Sequence, residues 1–136
     1  GIECKPVSVE LTYGLERICM FTQKKNNVFD LIWNNTNVKY KEVFHQAEKE
    51  FSAYNFEYAN TNNLFKIFDM VESESKALLE KKLSLPAYDQ CLKASHIFNL
   101  LEARGVISVA QRAVYISRIR ELAKGAGSVW LETQNN

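Results

Sequence analysis

Val7-Ser8-Val9-Glu10-Leu11-Thr12-Tyr13-Gly14-Leu15-Glu16-Arg17 changes its rule of spacing partway along. Up to Tyr13 the residues alternate. Val7, Val9, Leu11 and Tyr13 fall on one face, and Ser8, Glu10 and Thr12 on the other, which is the period of a β-strand with one apolar and one polar side. Gly14 breaks the alternation. From Leu15 to Gln23 the apolar spacing becomes helical, with Leu15, Ile18, Cys19 and Thr22 on the inner side. The stretch therefore predicts a strand, a turn and a helix. One strand has two unpaired edges, so it is expected to join a sheet supplied by residues outside this sequence or by another chain. Gly1 is not a natural start, and the sequence is expected to be part of a longer protein.

The polar face of that strand ends where the helix begins, and the residue types there have a chemical use. The carboxylate of Glu10 suits a cation, either an ammonium group or a metal. Gly14 lets a ligand come close to the backbone. Unsatisfied N–H groups at a helix start favour phosphate. Arg17, with Glu16 in the first turn, offers a planar, permanently charged fork for phosphate oxygens or a surface for a base. The same spacing also fits a surface ion pair on an ordinary α+β unit.

Working outward, Val28 to Trp33 is a short apolar stretch, and Asn34 to Asn37 has the composition of a turn. Beyond Lys41 the spacing is helical throughout. Phe44, Ala47, Phe51, Tyr54 and Tyr58 form one stripe; Leu64, Phe68, Val71, Ser75 and Leu78 a second; Ala87, Cys91, Ala94, Phe98 and Leu101 a third; Ile116, Ile119, Ala123, Ala126 and Trp130 a fourth. The punctuation agrees. Asn60 to Asn63 offers a cap for the second helix, and Pro86 suits the first turn of the third. Gly105 ends it, and Ser108-Val109-Ala110-Gln111 is a capping box opening the fourth. The expectation is a mainly α protein: residues 1–40 as the strand-turn-helix end of a sheet domain, and residues 41–136 as an α-helical bundle domain.

The bulk properties exclude more than they suggest. Seventeen basic and sixteen acidic residues leave a net charge of +1, with no bulk pull toward nucleic acid or membrane. Cys4, Cys19 and Cys91 are odd in number and widely spaced, without a Cys-x-x-Cys pair, so neither a disulfide framework nor a zinc site is expected. Reduced thiols in a cytoplasmic protein fit this usage. No apolar run reaches membrane-spanning length, and no signal peptide is expected from the short, polar Gly1 to Pro6. His45, next to the stripe residue Phe44, and His96, near Ile97 and Phe98, are expected to be partly buried and hydrogen-bonded; Trp33 and Trp130 read as packing anchors. Arg112, Arg118, Arg120 and Lys124 share the last helix and could meet nucleic-acid phosphates, although Glu121 among them favours a solvated face.

Glu10-Leu11-Thr12-Tyr13-Gly14-Leu15-Glu16-Arg17 is similar to motif 3 of the class II aminoacyl-tRNA synthetases. Cys4-Lys5-Pro6-Val7 narrows the resemblance to the glycyl-tRNA synthetase α subunit of the bacterial α2β2 type. So do Val43-Phe44-His45-Gln46, Tyr54-Asn55-Phe56-Glu57-Tyr58-Ala59, Leu85-Pro86-Ala87-Tyr88, His96-x-Phe98-Asn99-Leu100-Leu101-x-Ala103-Arg104 and Ile107-Ser108. The resemblance covers nearly the whole chain, although Gly-Leu-Glu-Arg alone is shared with the alanyl enzymes.

It implies a glycine–tRNA ligase, which uses ATP, with Mg2+, to make glycyl-adenylate and passes the glycine to tRNA(Gly). Arg17 matches the motif's ATP-binding arginine, with Gly14 and Glu16 beside it. Glu10 falls where the amino acid's ammonium group is received, and Thr12 and Ser8 share its face, Thr12 filling space that a larger substrate would need. The resemblance also implies a β-subunit partner and an α–α homodimer. Val9 departs from the glycine common at its position but keeps the alternation. Motifs 1 and 2 are not in this sequence, so the chain alone is expected to be inactive. Two other readings remain at this stage: a class II domain for another small amino acid, alanine, and a non-catalytic helical interaction module.

Overall fold

A computed structural model describes residues 3–134. The chain divides into two compact units, one of Cys4–Tyr54 and one formed chiefly by residues from Asn55 onward. The first contains helix α1 (Leu15–Thr22), a single 3-10 turn at Val28–Asp30 and helix α2 (Tyr40–Ala53). The second contains three long helices, α3 (Thr61–Glu80), α4 (Ser84–Ala103) and α5 (Val109–Gln134). A π-helical turn, Tyr54–Tyr58, follows α2 directly, and the division falls at its start. Helix α2 thus groups with the residues before it. No helix among the described residues is long and apolar enough to cross a membrane.

The mainly α expectation holds, and the strand does not. Among the described residues there is no strand, only an isolated antiparallel bridge between Ile32 and Lys39. Residues 7–13 have no regular structure. The physical reason is pairing: a strand is held by its neighbour's N–H and C=O groups, and no such neighbour stands among these residues. The helix after Gly14 forms as expected, running to Thr22 with Gln23 as its C-cap.

The larger unit follows its sequence pattern closely. Leu64 and Phe68 of α3 pack with Cys91, Ala94, Phe98 and Leu101 of α4 and Leu122 of α5 in one core. Full burial of the leucine and phenylalanine side chains among them contributes roughly 1.5–3 kcal/mol each. The caps lie where expected. Asn60 accepts from the Asn63 N–H at 3.1 Å. Gly105, at φ +66°, follows the C-cap of α4 in the left-handed region that favours glycine. The Ser108 N–H donates to Gln111 Oε1 at 2.9 Å, and the Gln111 N–H to Ser108 Oγ at 3.2 Å. Ser75, fully buried on the α3 stripe, donates to the Ala87 carbonyl at 2.8 Å, so its hydroxyl enters the core satisfied.

Several expectations fail on coverage. The stripe from Phe44 to Tyr58 exists but is only partly covered: Phe44 is partly buried, whereas Tyr54 is 50% exposed, Phe51 65% and Tyr58 77%. His45 and His96 are both exposed rather than partly buried. Trp130 is exposed on α5, whose deepest residues are Leu122, Ala126 and Val129.

Candidate functional site

Gly14 is the N-cap of α1, with φ −67° and ψ 123°. Any residue adopts that conformation, and a Cβ added there would meet nothing closer than Glu16 Oε2 at 3.9 Å. Neither backbone strain nor crowding within the chain therefore accounts for the glycine. Its carbonyl accepts from the N–H groups of Arg17 at 3.1 Å and Ile18 at 3.3 Å. No side chain caps the helix start, which leaves the N–H groups of Leu15 and Glu16 facing outward at the positive end of the helix.

The two charges of this first turn differ in their attachment. Glu16 Oε1 accepts a hydrogen bond from the Tyr40 hydroxyl at 3.2 Å. Burial, followed by this bond and the nearby carboxylates of Glu16 and Glu48, raises the Tyr40 pKa, so the neutral phenol that donates the bond is the favoured form. Arg17 is exposed and makes no ion pair among the described residues. A cation in the first turn opposes the helix dipole at a cost of a few tenths of a kcal/mol. Ser8, Glu10 and Thr12 are exposed too, and the structure brings two of them together: the Thr12 hydroxyl donates to Glu10 Oε1.

Behind α1 the chain builds an aromatic floor. The Leu31–Tyr40 segment closes on itself, with the Tyr40 N–H on the Leu31 carbonyl at 2.8 Å and the Trp33 N–H on the Val38 carbonyl at 2.7 Å. Asn34 Oδ1 holds the turn between them, accepting from the N–H groups of Thr36 at 3.0 Å and Val38 at 3.2 Å. Tyr40 packs on Phe44 with ring centroids 4.6 Å apart, and Trp33 meets Phe44 edge-on at 5.1 Å. A cleft of about 360 Å³ opens between Leu15, Glu16 and Cys19 of α1 and Leu31, Trp33, Tyr40 and Phe44 of this floor. A second, of about 400 Å³, shares Glu16, Tyr40 and Phe44 and extends to Glu48 and Phe51. Tyr40 and Gln23, which tie α1 to the floor, were not singled out from the sequence. The i,i+4 pair Tyr40–Phe44 was the available signal, but nothing local links Tyr40 to a glutamate 24 residues earlier.

The basic residues of α5 are largely committed within the second unit. Arg112 pairs with Glu102 at 2.6 Å. Arg118 forks onto Glu72, reaches Asp69 at 2.6 Å, and lies over the rings of Phe68 and Tyr115 at 4.5 and 5.1 Å. That leaves Arg120 and Lys124 exposed, too few for a phosphate track. No group of three or more His, Cys, Asp or Glu side chains is placed to hold a metal ion among the described residues.

The family model for the glycyl-tRNA synthetase alpha subunit matches residues 1–135, essentially the full length of the sequence, and this chain belongs to that family.

Proposed function

We propose that the chain supplies the motif 3 corner of a class II active site that activates glycine with ATP and transfers it to tRNA(Gly). The glycine carboxylate attacks the α-phosphorus of ATP, the new O–P bond forms as the bond to pyrophosphate breaks, and a hydroxyl at the tRNA terminus then takes the glycyl group from glycyl-adenylate as AMP leaves. Such a reaction depends chiefly on positioning and charge neutralisation. In this reading Arg17 holds ATP through its phosphates and base, Gly14 and the open N–H groups of α1 lie beside it, and Glu16 fixes the turn. Glu10 receives the ammonium group of glycine. The hydroxyl bond from Thr12 orients that carboxylate, and Thr12 with Ser8 narrows the space beside it. Mg2+ would come with ATP and with residues outside this chain.

One observation carries the reading. Val7, Val9, Leu11 and Tyr13 are each between 72% and 86% exposed. Four apolar side chains at strict alternation, leading into a helix at an uncapped glycine, call for a sheet to cover them. Within a complete synthetase that sheet would bring Ser8, Glu10 and Thr12 onto its polar face, level with the start of α1. Arg17 supports the same reading: it sits at the unfavourable end of a helix dipole and has no partner among the described residues, as a side chain reserved for an anion would.

The helical unit and the exposed α2 stripe are the surfaces left for the β subunit, for tRNA(Gly) or for a second α subunit. The test is Arg17→Ala in the complete enzyme, with glycine-dependent ATP–pyrophosphate exchange as the assay. Exchange should fall on the order of a hundredfold or more, the usual effect of removing a transition-state charge partner. Wild-type exchange would overturn the motif 3 assignment.

A further inference from the structure

Helix α1 carries the corner, yet little in its own composition holds it still. It has eight residues, none of them buried. At 1.5 Å per residue it is about 12 Å long, below the length at which an isolated helix persists in water. Two side-chain pins compensate, one at each end. At the C-terminal end the Gln23 amide embraces the backbone of Ile32, its Nε2 donating to the Ile32 carbonyl at 3.0 Å and its Oε1 accepting the Ile32 N–H at 2.8 Å. At the N-terminal end the Tyr40 hydroxyl donates to Glu16. Both pins land on the same closed Leu31–Tyr40 segment. Its two ends are themselves joined by the Tyr40 N–H bond to the Leu31 carbonyl, and Leu31 is buried.

We infer that Tyr40 is a positioning residue for the nucleotide corner: through Glu16 it fixes the rotation of α1 about its axis, and so the direction in which Arg17 leaves the helix. Neighbouring residues on a helix point roughly 100° apart, so a carboxylate held on one side sets the bearing of the arginine that follows it. The phenol is a rigid reference. Its ring rests on Phe44 at 4.6 Å and meets Trp33 at 5.9 Å, and its backbone N–H is tied to Leu31. The C-terminal pin alone leaves the first turn free to swing about Gln23, and the first turn is where Arg17 is.

The inference rests on Arg17 being the ATP ligand, so the experiment separates the two. Tyr40→Phe keeps the ring packing and removes only the hydroxyl. In the complete synthetase this variant should raise the KM for ATP in glycine-dependent pyrophosphate exchange by roughly three- to tenfold, the scale of one ordinary hydrogen bond at an exposed site. The KM for glycine and the melting temperature should stay at their wild-type values. Glu16→Ala removes the acceptor of the Tyr40 hydroxyl and should raise the KM for ATP at least as far. Adding Tyr40→Phe to Glu16→Ala should change nothing further, because the bond is already gone. A wild-type KM for ATP in Tyr40→Phe, or additive losses in the double variant, would overturn the positioning role while Arg17→Ala remains impaired. A rise in both KM values together with a lower melting temperature would also overturn it, showing a structural part only. If Arg17→Ala is itself active, it is the motif 3 reading that fails.

Discussion

Glu72 lies on α3 with its side chain only a tenth exposed, and Arg118 of α5 reaches it with its own side chain 27% exposed. The guanidinium makes bonds to both Glu72 oxygens, adds Asp69, and lies over the rings of Phe68 and Tyr115. Replacing Glu72 by Ala removes the buried partner and leaves Arg118 with Asp69, which is mostly solvated. Stranding one member of a buried pair costs about 3–5 kcal/mol when burial is complete. Arg118 keeps some water and a second carboxylate, so the expected loss is about 2 kcal/mol. The reverse change, Arg118→Met, leaves Glu72 with only Lys76 at 3.0 Å and should cost a similar ~2 kcal/mol. Making both changes apolar, Glu72→Leu with Arg118→Met, abolishes the desolvation cost along with the bond and should fall within about 1 kcal/mol of wild type. Urea unfolding of the chain, followed by circular dichroism at the helix band, measures all four corners of this cycle. In thermal melts the single losses correspond to roughly 10 °C for a unit of this size. Single variants that unfold like wild type, or a double variant whose loss is the sum of the two, would refute the view that this pair is a mutually dependent clamp between α3 and α5.

The same pair predicts how the bundle responds to acid. Its hydrogen bonds from Arg118, with Lys76 assisting and burial opposing, hold the Glu72 carboxyl below the ordinary range. A carboxyl with a lowered folded-state pKa contributes stability above its unfolded value of about 4.3 and loses that contribution as pH falls through the folded value. Urea titrations between neutral pH and pH 3 should therefore show wild-type stability declining below about pH 4.5 more steeply than that of the Glu72→Leu, Arg118→Met double variant. At the end of α4, Gly105→Ala meets no atom within 4 Å but must adopt φ +66°, so it should lose about 1 kcal/mol to backbone strain alone, and Gly105→Asn distinctly less, in the same urea assay.

What the sequence made legible was local. Asn60, Pro86, Gly105 and the Ser108–Gln111 box each act on backbone groups within four residues, and each lies where its chemistry placed it. The α3 and α4 stripes are buried because they face one another, and periodicity records that a face is apolar. It does not record what covers the face. The stripe of α2 has the same regularity, yet Phe51 and Tyr58 stay exposed. Charges were hardest to read, since their partners are distant in sequence. Arg118 looked available for phosphate and is taken by Glu72, 46 residues away; Glu16 looked like half of a surface pair with its neighbour and is bound by Tyr40 instead. The candidate site was visible as a list of residues, Glu10, Thr12, Gly14, Glu16 and Arg17, but not as a mounting. The two pins of α1 both land on the Leu31–Tyr40 segment, of which the sequence showed only a short apolar run and a turn.

The unpaired alternation at residues 7–13 separates two meanings of a sequence pattern. An amphipathic helix satisfies its own backbone and then seeks a surface for one face, so α1 forms even with no buried residue. A strand cannot satisfy its backbone at all without another strand, so the same quality of pattern leaves no secondary structure in residues 7–13 when the neighbour is absent from the described residues. The alternation is therefore evidence about a partner more than about the segment itself. It specifies a neighbour that is apolar on the side of Val7, Val9, Leu11 and Tyr13 and that leaves the side of Glu10 and Thr12 open. A sheet meeting both conditions would set the Glu10 carboxylate and the start of α1 on one surface, and the contact between Thr12 and Glu10 already joins two members of that polar side.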